Sequence, residues 1–111
     1  MAVPKEYQAL FSRWCADRVP GHARASLQIG YTIHGDSVTI VERHPPAFPE
    51  LTSAWTTAYV AQLRYNDPEQ GLWRIYRRVG DKWERYDHSP ATMPEPLLAE
   101  IVDDAHSVFW G

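Results

Sequence analysis

The residues with the clearest chemical use are basic and aromatic side chains that alternate along one short segment of the chain. Arg74, Tyr76 and Arg78 stand two positions apart, so on a β-strand all three side chains project from the same face. Guanidinium groups bind phosphates through paired N–H donors, and a tyrosine ring stacks on flat groups. Arg64 and Arg85 come from the neighbouring predicted strands. We predict that Arg64, Arg74, Tyr76, Arg78 and Arg85 form a surface that binds an anionic or planar ligand, such as nucleic acid.

The distribution of charge leaves an alternative open. Residues 64–85 carry six Lys or Arg and four Asp or Glu, whereas residues 87–111 carry five acids and no Lys or Arg. The net charge of −3 argues against binding of polyanions by the molecule as a whole. The four local acids, among them Glu84, are enough to neutralise much of the basic surface. In that case the arginines only line an ordinary solvent-facing strand.

Aromatic residues suggest a second kind of contact. Five Trp and six Tyr are many for 111 residues, and Trp, Tyr and Arg are enriched at binding hot spots. We predict that Trp55, Phe109 and Trp110 contact a protein partner or a second copy of the chain in a homodimer. The alternative is that they complete a small core, because small domains use every apolar residue they have.

No motif points to a cofactor, a metal or a catalytic residue. No two of the five histidines stand at the close spacing of a structural zinc site, and Cys15 is the only cysteine. His106 follows Asp103 and Asp104, which can orient its imidazole or belong to a helix end. No nucleophile elbow, P-loop or dinucleotide fingerprint occurs. We therefore expect a non-catalytic binding module; a protein-interaction or assembly factor and a small hydrolase or transferase are the alternatives.

The N-terminal segment has the pattern of an amphipathic helix over residues 4–18. Its apolar stripe recurs at helical spacing and consists of Tyr7, Leu10, Phe11, Trp14 and Cys15. We expect this stripe to pack on a sheet and Cys15 to be buried.

Alternation and turn residues predict five strands after that helix. These are residues 25–34, 37–43, 55–65, 72–78 and 82–86. Two hairpins are predicted, one closed by a two-residue turn at Gly35 and Asp36 and the other by one at Gly80 and Asp81. Residues 66–71 form a longer turn. The third strand is long enough to contain a bulge. Phe48 is expected to pin the proline-rich loop before the third strand to the body.

The C-terminal part is predicted to form a short helix near residues 97–102 and an apolar tail that docks on the sheet or on the first helix. The fold class is therefore α+β, with an N-terminal helix packed on a curved antiparallel sheet of about five strands, a hairpin plus a three-stranded meander, and a short C-terminal helix. The chain is expected to form a single domain over residues 1–111. Because no secretory signal or long apolar run is visible, we expect a cytoplasmic protein without a membrane partner.

The C-terminal segments LWRIYRRVGDKWERYD and EPLLAEIVDDAHSVFWG resemble a family of short bacterial proteins catalogued as a domain of unknown function. Its members carry a Trp-rich hairpin, matched here from Trp73 to Tyr86, and end in a phrase close to Phe109–Trp110–Gly111. This chain departs from the pattern at Arg77, where an aromatic residue is usual. The resemblance implies a bacterial, cytoplasmic, single-domain protein, and it implies no activity.

Overall fold

A five-stranded antiparallel sheet, with both helices on one side of it, organises the chain. The structure is a computed structural model that describes residues 3–19, 21, 26–67, 71–86, 91–104 and 109–110, with residues 66 and 67 in their backbone only. The sheet runs in the order β1-β2-β3-β4-β5. The elements are α1 (Lys5–Arg18), β1 (Gln28–His34), β2 (Ser37–His44), β3 (Thr56–Asp67), β4 (Leu72–Val79), β5 (Lys82–Arg85) and α2 (Glu95–Asp103).

This architecture confirms the predicted α+β fold class, and the differences lie at element ends. The strand β3 continues to Asp67, so the predicted turn at Asn66 starts too early. The paired strand β1 begins at Gln28 instead of Ala25, which lies outside the described residues. Among the described residues, neither helix has the length and apolar character of a membrane-spanning segment.

The predicted bulge is present in β3. Ile40 of β2 pairs with Ala61, whereas the next residue, Val41, pairs with Tyr59. Val60 is therefore the extra residue, opposite no single partner. A bulge of this kind bends and twists its strand.

Trp73 is the centre of the core. It is fully buried (0% exposed), and its ring lies 5.4 Å from Tyr7, 5.9 Å from Phe11 and 5.0 Å from Tyr65, measured between ring centroids. Tyr7 and Phe11 belong to the apolar stripe of α1, and Tyr65 belongs to β3. Aromatic pairs in such tilted and edge-on arrangements stabilise a protein beyond the area they bury. The contacts of Trp73 therefore join α1 to the middle of the sheet.

The C-terminal tail is held by α2. Asp104 ends this helix in the left-handed region, with φ 46°, and its carboxylate accepts hydrogen bonds from the backbone N–H of Phe109 and of Trp110, both at 3.1 Å. The indole N–H of Trp110 donates to the carbonyl of Ile101 at 2.8 Å. The prediction that the tail docks on the sheet is confirmed for Phe109, whose ring packs against Tyr86, a residue whose backbone N–H donates to the carbonyl of Ile75 of β4. The hydrogen bonds of Asp104 and Trp110 attach the tail to α2 as well, which was not predicted.

We expect Trp73→Ala to lower the free energy of unfolding by roughly 3–5 kcal/mol, the usual effect of removing a buried indole. Trp73→Phe should lower it less, since a ring remains and the indole N–H, which has no hydrogen-bond partner among the described residues, is removed. Urea denaturation checks both values. Phe48→Ala is the control. Phe48 is 62% exposed, so our expectation that it pins its loop to the body is wrong. Removing its ring should therefore change the free energy of unfolding little. Equal losses for Trp73→Ala and Phe48→Ala would contradict this account of the core.

Stability should also fall at alkaline pH because of Cys15. Burial raises the pKa of its thiol from 9.0 to about 11, and Arg18 acts against this rise. Between these pH values the unfolded chain loses the proton while the folded chain keeps it, so the free energy of unfolding falls as pH rises. Urea midpoints across this window should decrease less steeply for Cys15→Ala than for the wild type. Parallel pH profiles for the two proteins would show that Cys15 does not contribute.

Candidate ligand-binding face of the sheet

The five predicted ligand-binding residues lie on one face of the sheet, opposite the helices. Arg64 is paired with Arg74 across β3 and β4, and Tyr76 is paired with Arg85 across β4 and β5. Residues directly opposite each other in an antiparallel pair share a face, and Arg78 follows Tyr76 by two positions. Their neighbours along β4, among them the fully buried Trp73, point to the other face.

Tyr59 and Trp83 also belong to this face, although sequence reasoning did not select them. Trp83 is paired with Arg78 across the turn between β4 and β5, and the Tyr59 and Trp83 rings lie 5.8 Å apart in a T-shaped arrangement. We call the seven residues together the arginine face: Arg64, Arg74, Tyr76, Arg78, Arg85, Tyr59 and Trp83.

One arginine of this face is held over a tyrosine ring. The Cζ atom of Arg64 lies 3.9 Å from the ring centroid of Tyr76, and its Nε donates a hydrogen bond to Oε1 of Gln62 at 2.6 Å. The Nε2 of Gln62 in turn donates to Oγ1 of Thr39 at 3.0 Å. Gln62 is buried, so this chain of hydrogen bonds fixes the position of the guanidinium group before any ligand arrives.

A second arginine lies between two aromatic rings. The Cζ atom of Arg78 is 4.7 Å from the ring centroid of Tyr59 and 5.2 Å from that of Trp83. Its Nε donates to the carbonyl of Gly80 at 3.1 Å. Tyr59 is 51% exposed, so its ring is accessible to a ligand. The arginine face therefore contains two separate contacts between a guanidinium group and aromatic rings.

Within the described residues, the arginine face has little internal compensation for its charge. Arg64 and Arg74 stand directly opposite each other, an arrangement in which like charges destabilise a sheet. Glu84, which we considered as a neutralising residue, pairs with Arg77 instead, its Oε1 3.5 Å from Nη2, and both point to the opposite face. Among the described side chains, no carboxylate forms an ion pair with an arginine of this face.

Two of the four acids in residues 64–85, Asp67 and Glu69, are not part of that comparison. Their side chains lie outside the described residues. The role of the arginine face in binding therefore stays a prediction, which rests on the geometry of the residues that are described.

The three predicted contact aromatics are not equally accessible. Phe109 is only 6% exposed, and its ring packs against that of Tyr86 at 5.0 Å. Trp55 and Trp110 are each half-buried. Phe109 is therefore a core residue in this structure, as the alternative reading anticipated, because the tail is drawn onto α2 by Asp104.

Tyr86, the ring under Phe109, is held in its neutral form. Burial, and a hydrogen bond from its hydroxyl to Oε1 of Glu100 at 3.0 Å, raise its pKa above the ordinary value. Tyr86 is 8% exposed and belongs to the core.

The described residues contain no group of three or more His, Cys, Asp and Glu arranged to hold a metal ion. His22, His88 and His106 lie outside them. His44 is half of a surface pair, its Nε2 3.1 Å from Oε1 of Glu42. Because His106 lies outside the described residues, the idea that Asp103 and Asp104 orient its imidazole stays a prediction.

The fold and this face define a small α+β protein with an open antiparallel sheet, one side of which is covered by helices and the other by arginines and aromatic rings. Residues 2–111 match the model of the family described as Domain of unknown function (DUF3024). The chain belongs to this family, which confirms the resemblance to a domain of unknown function. No curated protein matches the chain, and no solved structure does.

If Arg64 and Arg74 repel each other, removing one of them should not destabilise the fold. We expect Arg74→Thr to raise the free energy of unfolding by about 0.2–1 kcal/mol at low salt, and the gain should shrink as salt screens the repulsion. The measurement is chemical denaturation at two ionic strengths. Arg77→Thr is the matched control on the same strand, because it removes an ion pair from the opposite face and should bring no gain. A loss of stability for Arg74→Thr would mean that the two arginines do not repel each other.

Proposed function

We propose that this protein is a non-catalytic binding module whose arginine face holds single-stranded nucleic acid. The observation that carries the proposal is a group of four guanidinium groups on a helix-free sheet face, with no carboxylate partner among the described side chains. These positive charges lie close together at a cost in stability, and an anionic ligand can neutralise them.

The type of anion follows from the aromatic rings. Arg64 lies over Tyr76, and Arg78 lies over Tyr59 and Trp83. Guanidinium planes and aromatic rings both stack with bases, while guanidinium N–H groups bind phosphates. A polymer with alternating flat rings and negative charges uses both parts of the face, whereas an inorganic anion or a simple acidic polymer uses only the charges.

The shape of the surface favours a single strand over a duplex. Proteins read the bases of a duplex with an element that enters a groove, such as a helix or a two-stranded ribbon. The arginine face is instead the broad side of a five-stranded sheet, and an unpaired strand can lay its bases flat on such a face.

The acidic remainder of the molecule fits the same proposal. The chain has a net charge of −3, and α2 contains acids but no Lys or Arg. A polyanion is therefore repelled by α2 and attracted by the arginine face. Electrostatic steering of this kind orients the encounter and raises its rate.

The test is fluorescence anisotropy of a labelled single-stranded oligonucleotide titrated with the protein at several salt concentrations. The logarithm of the association constant should fall linearly with the logarithm of salt concentration, by about 0.7 for each phosphate contacted, so four contacts give a slope of about −3. Arg74→Glu and Arg78→Glu should each weaken binding at least tenfold, and Trp83→Leu should weaken it with little change in the salt slope.

Lys5→Glu is the control with the same change in net charge, since Lys5 is an exposed residue of α1 on the helical side. It should bind the oligonucleotide almost as well as the wild type. Absence of binding, binding that ignores salt, or equal losses for Lys5→Glu and Arg74→Glu would each reject the proposal. Equal affinity for heparin and the oligonucleotide, unaffected by Trp83→Leu, would reject the role of stacking.

A further inference from the structure

A groove with a volume of about 590 Å³ lies between α1 and α2, on the side of the sheet away from the arginine face. Its apolar walls include Leu10 and Trp14 from α1, and Leu98 and Val102 from α2. Each helix contributes residues at the spacing i, i+3, i+4, i+7 and i+8, which marks one continuous stripe along a helix. Two helices thus turn partly apolar stripes toward a space that none of the described elements fills.

The groove has the composition of a protein interface. Val102 is 48% exposed, Trp14 is half-buried, and the guanidinium of Arg18 lies 5.3 Å from the Trp14 ring. Tryptophan and arginine beside apolar residues are the typical centre of such an interface. This apolar surface is partly open to solvent, so a molecule that covers it removes it from water.

The charges on the two walls differ in sign. The α1 wall carries Arg13 and Arg18 with Asp17, and the α2 wall carries Glu95 and Asp103. None of these five residues forms an ion pair with another across the groove in the described structure. One wall is therefore net basic, the other is acidic, and their charges are available to a partner.

We propose that the groove is covered by a second copy of this chain, related by a two-fold axis that sets the α1 of each copy against the α2 of the other. In a two-fold interface the same surface is used twice, so it must be complementary to itself. A surface with one basic and one acidic wall meets this condition, because rotation brings Arg13 and Arg18 to the acids of the partner. An unrelated helix would have to carry both signs in a matching order, whereas the second copy supplies that order by symmetry.

This interface differs from the one expected from the sequence, where Trp55, Phe109 and Trp110 were the contact residues. The proposal does not depend on nucleic-acid binding, since the groove and the arginine face lie on opposite sides of the sheet.

The experiment is a charge exchange followed by sedimentation velocity on the full chain. The wild type should show a mass that rises from monomer to dimer with concentration. One variant, Arg13→Glu with Arg18→Glu, has two acidic walls, and the other, Glu95→Arg with Asp103→Arg, has two basic walls. Each variant alone should dimerise at least tenfold more weakly than the wild type, and an equimolar mixture of the two should recover the dimer, because acidic walls then meet basic walls at both contacts.

All four exchanged residues are exposed, and circular dichroism checks that each variant folds. The control is Lys5→Glu with Lys82→Glu, which makes the same change in net charge as Arg13→Glu with Arg18→Glu but at exposed residues away from the groove. It should dimerise like the wild type. A wild type that stays monomeric at every accessible concentration would overturn the proposal, as would a mixture that fails to recover the dimer. Dimers that persist in both variants would place the interface elsewhere, and a groove that binds a small apolar molecule or a peptide without a dimer would assign it another occupant.

Discussion

The packing of Trp73 is the constraint on which the rest of the structure depends. Its ring contacts α1 through Tyr7 and Phe11 and the neighbouring strand through Tyr65. Side chains alternate along a strand, so a shift of β4 by one residue would expose the indole and bury an arginine. The outward position of Arg74 is therefore decided by a contact on the opposite side of the sheet, and the arginine face is a by-product of how the core is packed.

The arginine face shows how a stable core allows unfavourable local arrangements at the surface. Like charges face each other at Arg64 and Arg74, and Tyr59 exposes half of its surface. The stacking of Arg64 on Tyr76 offsets part of that cost, since a cation over a ring contributes about 0.5–2 kcal/mol. The hydrogen bond from Arg64 to Gln62 also reduces the freedom that the guanidinium would lose on binding. Local conflicts of this kind are typical of functional surfaces.

The elements were predictable where one local signal decides the outcome. The stripe of α1, the two-residue turns and the alternation in β4 each depend on a few adjacent residues. The alternation also separates Glu84 from Arg85, which is enough to place Glu84 on the other face, although the sequence interpretation counted it as a neutralising neighbour. Strand order was open, because a hairpin and a meander can be joined at more than one edge.

Features that depend on distant residues were not predictable in the same way. By sequence alone, Asp104 stands at the C-terminal end of a predicted helix, where a negative charge opposes the dipole. In the structure its carboxylate accepts two N–H groups of the tail, a gain that becomes visible only when the chain turns back. The aromatic tail was expected to dock on the sheet or on α1, and its attachment to α2 through Asp104 was not predicted.

The bulge at Val60 changes the face of the sheet on which the odd-numbered residues of β3 lie. On the C-terminal side of the bulge, odd-numbered residues such as Leu63 point to the helices, so an uninterrupted strand would send the odd-numbered Tyr59 the same way. The extra residue reverses the phase, and Tyr59 reaches Arg78 and Trp83 on the opposite face. Because of one inserted residue, β3 places odd-numbered side chains on both faces, with Leu63 in the core and Tyr59 on the surface.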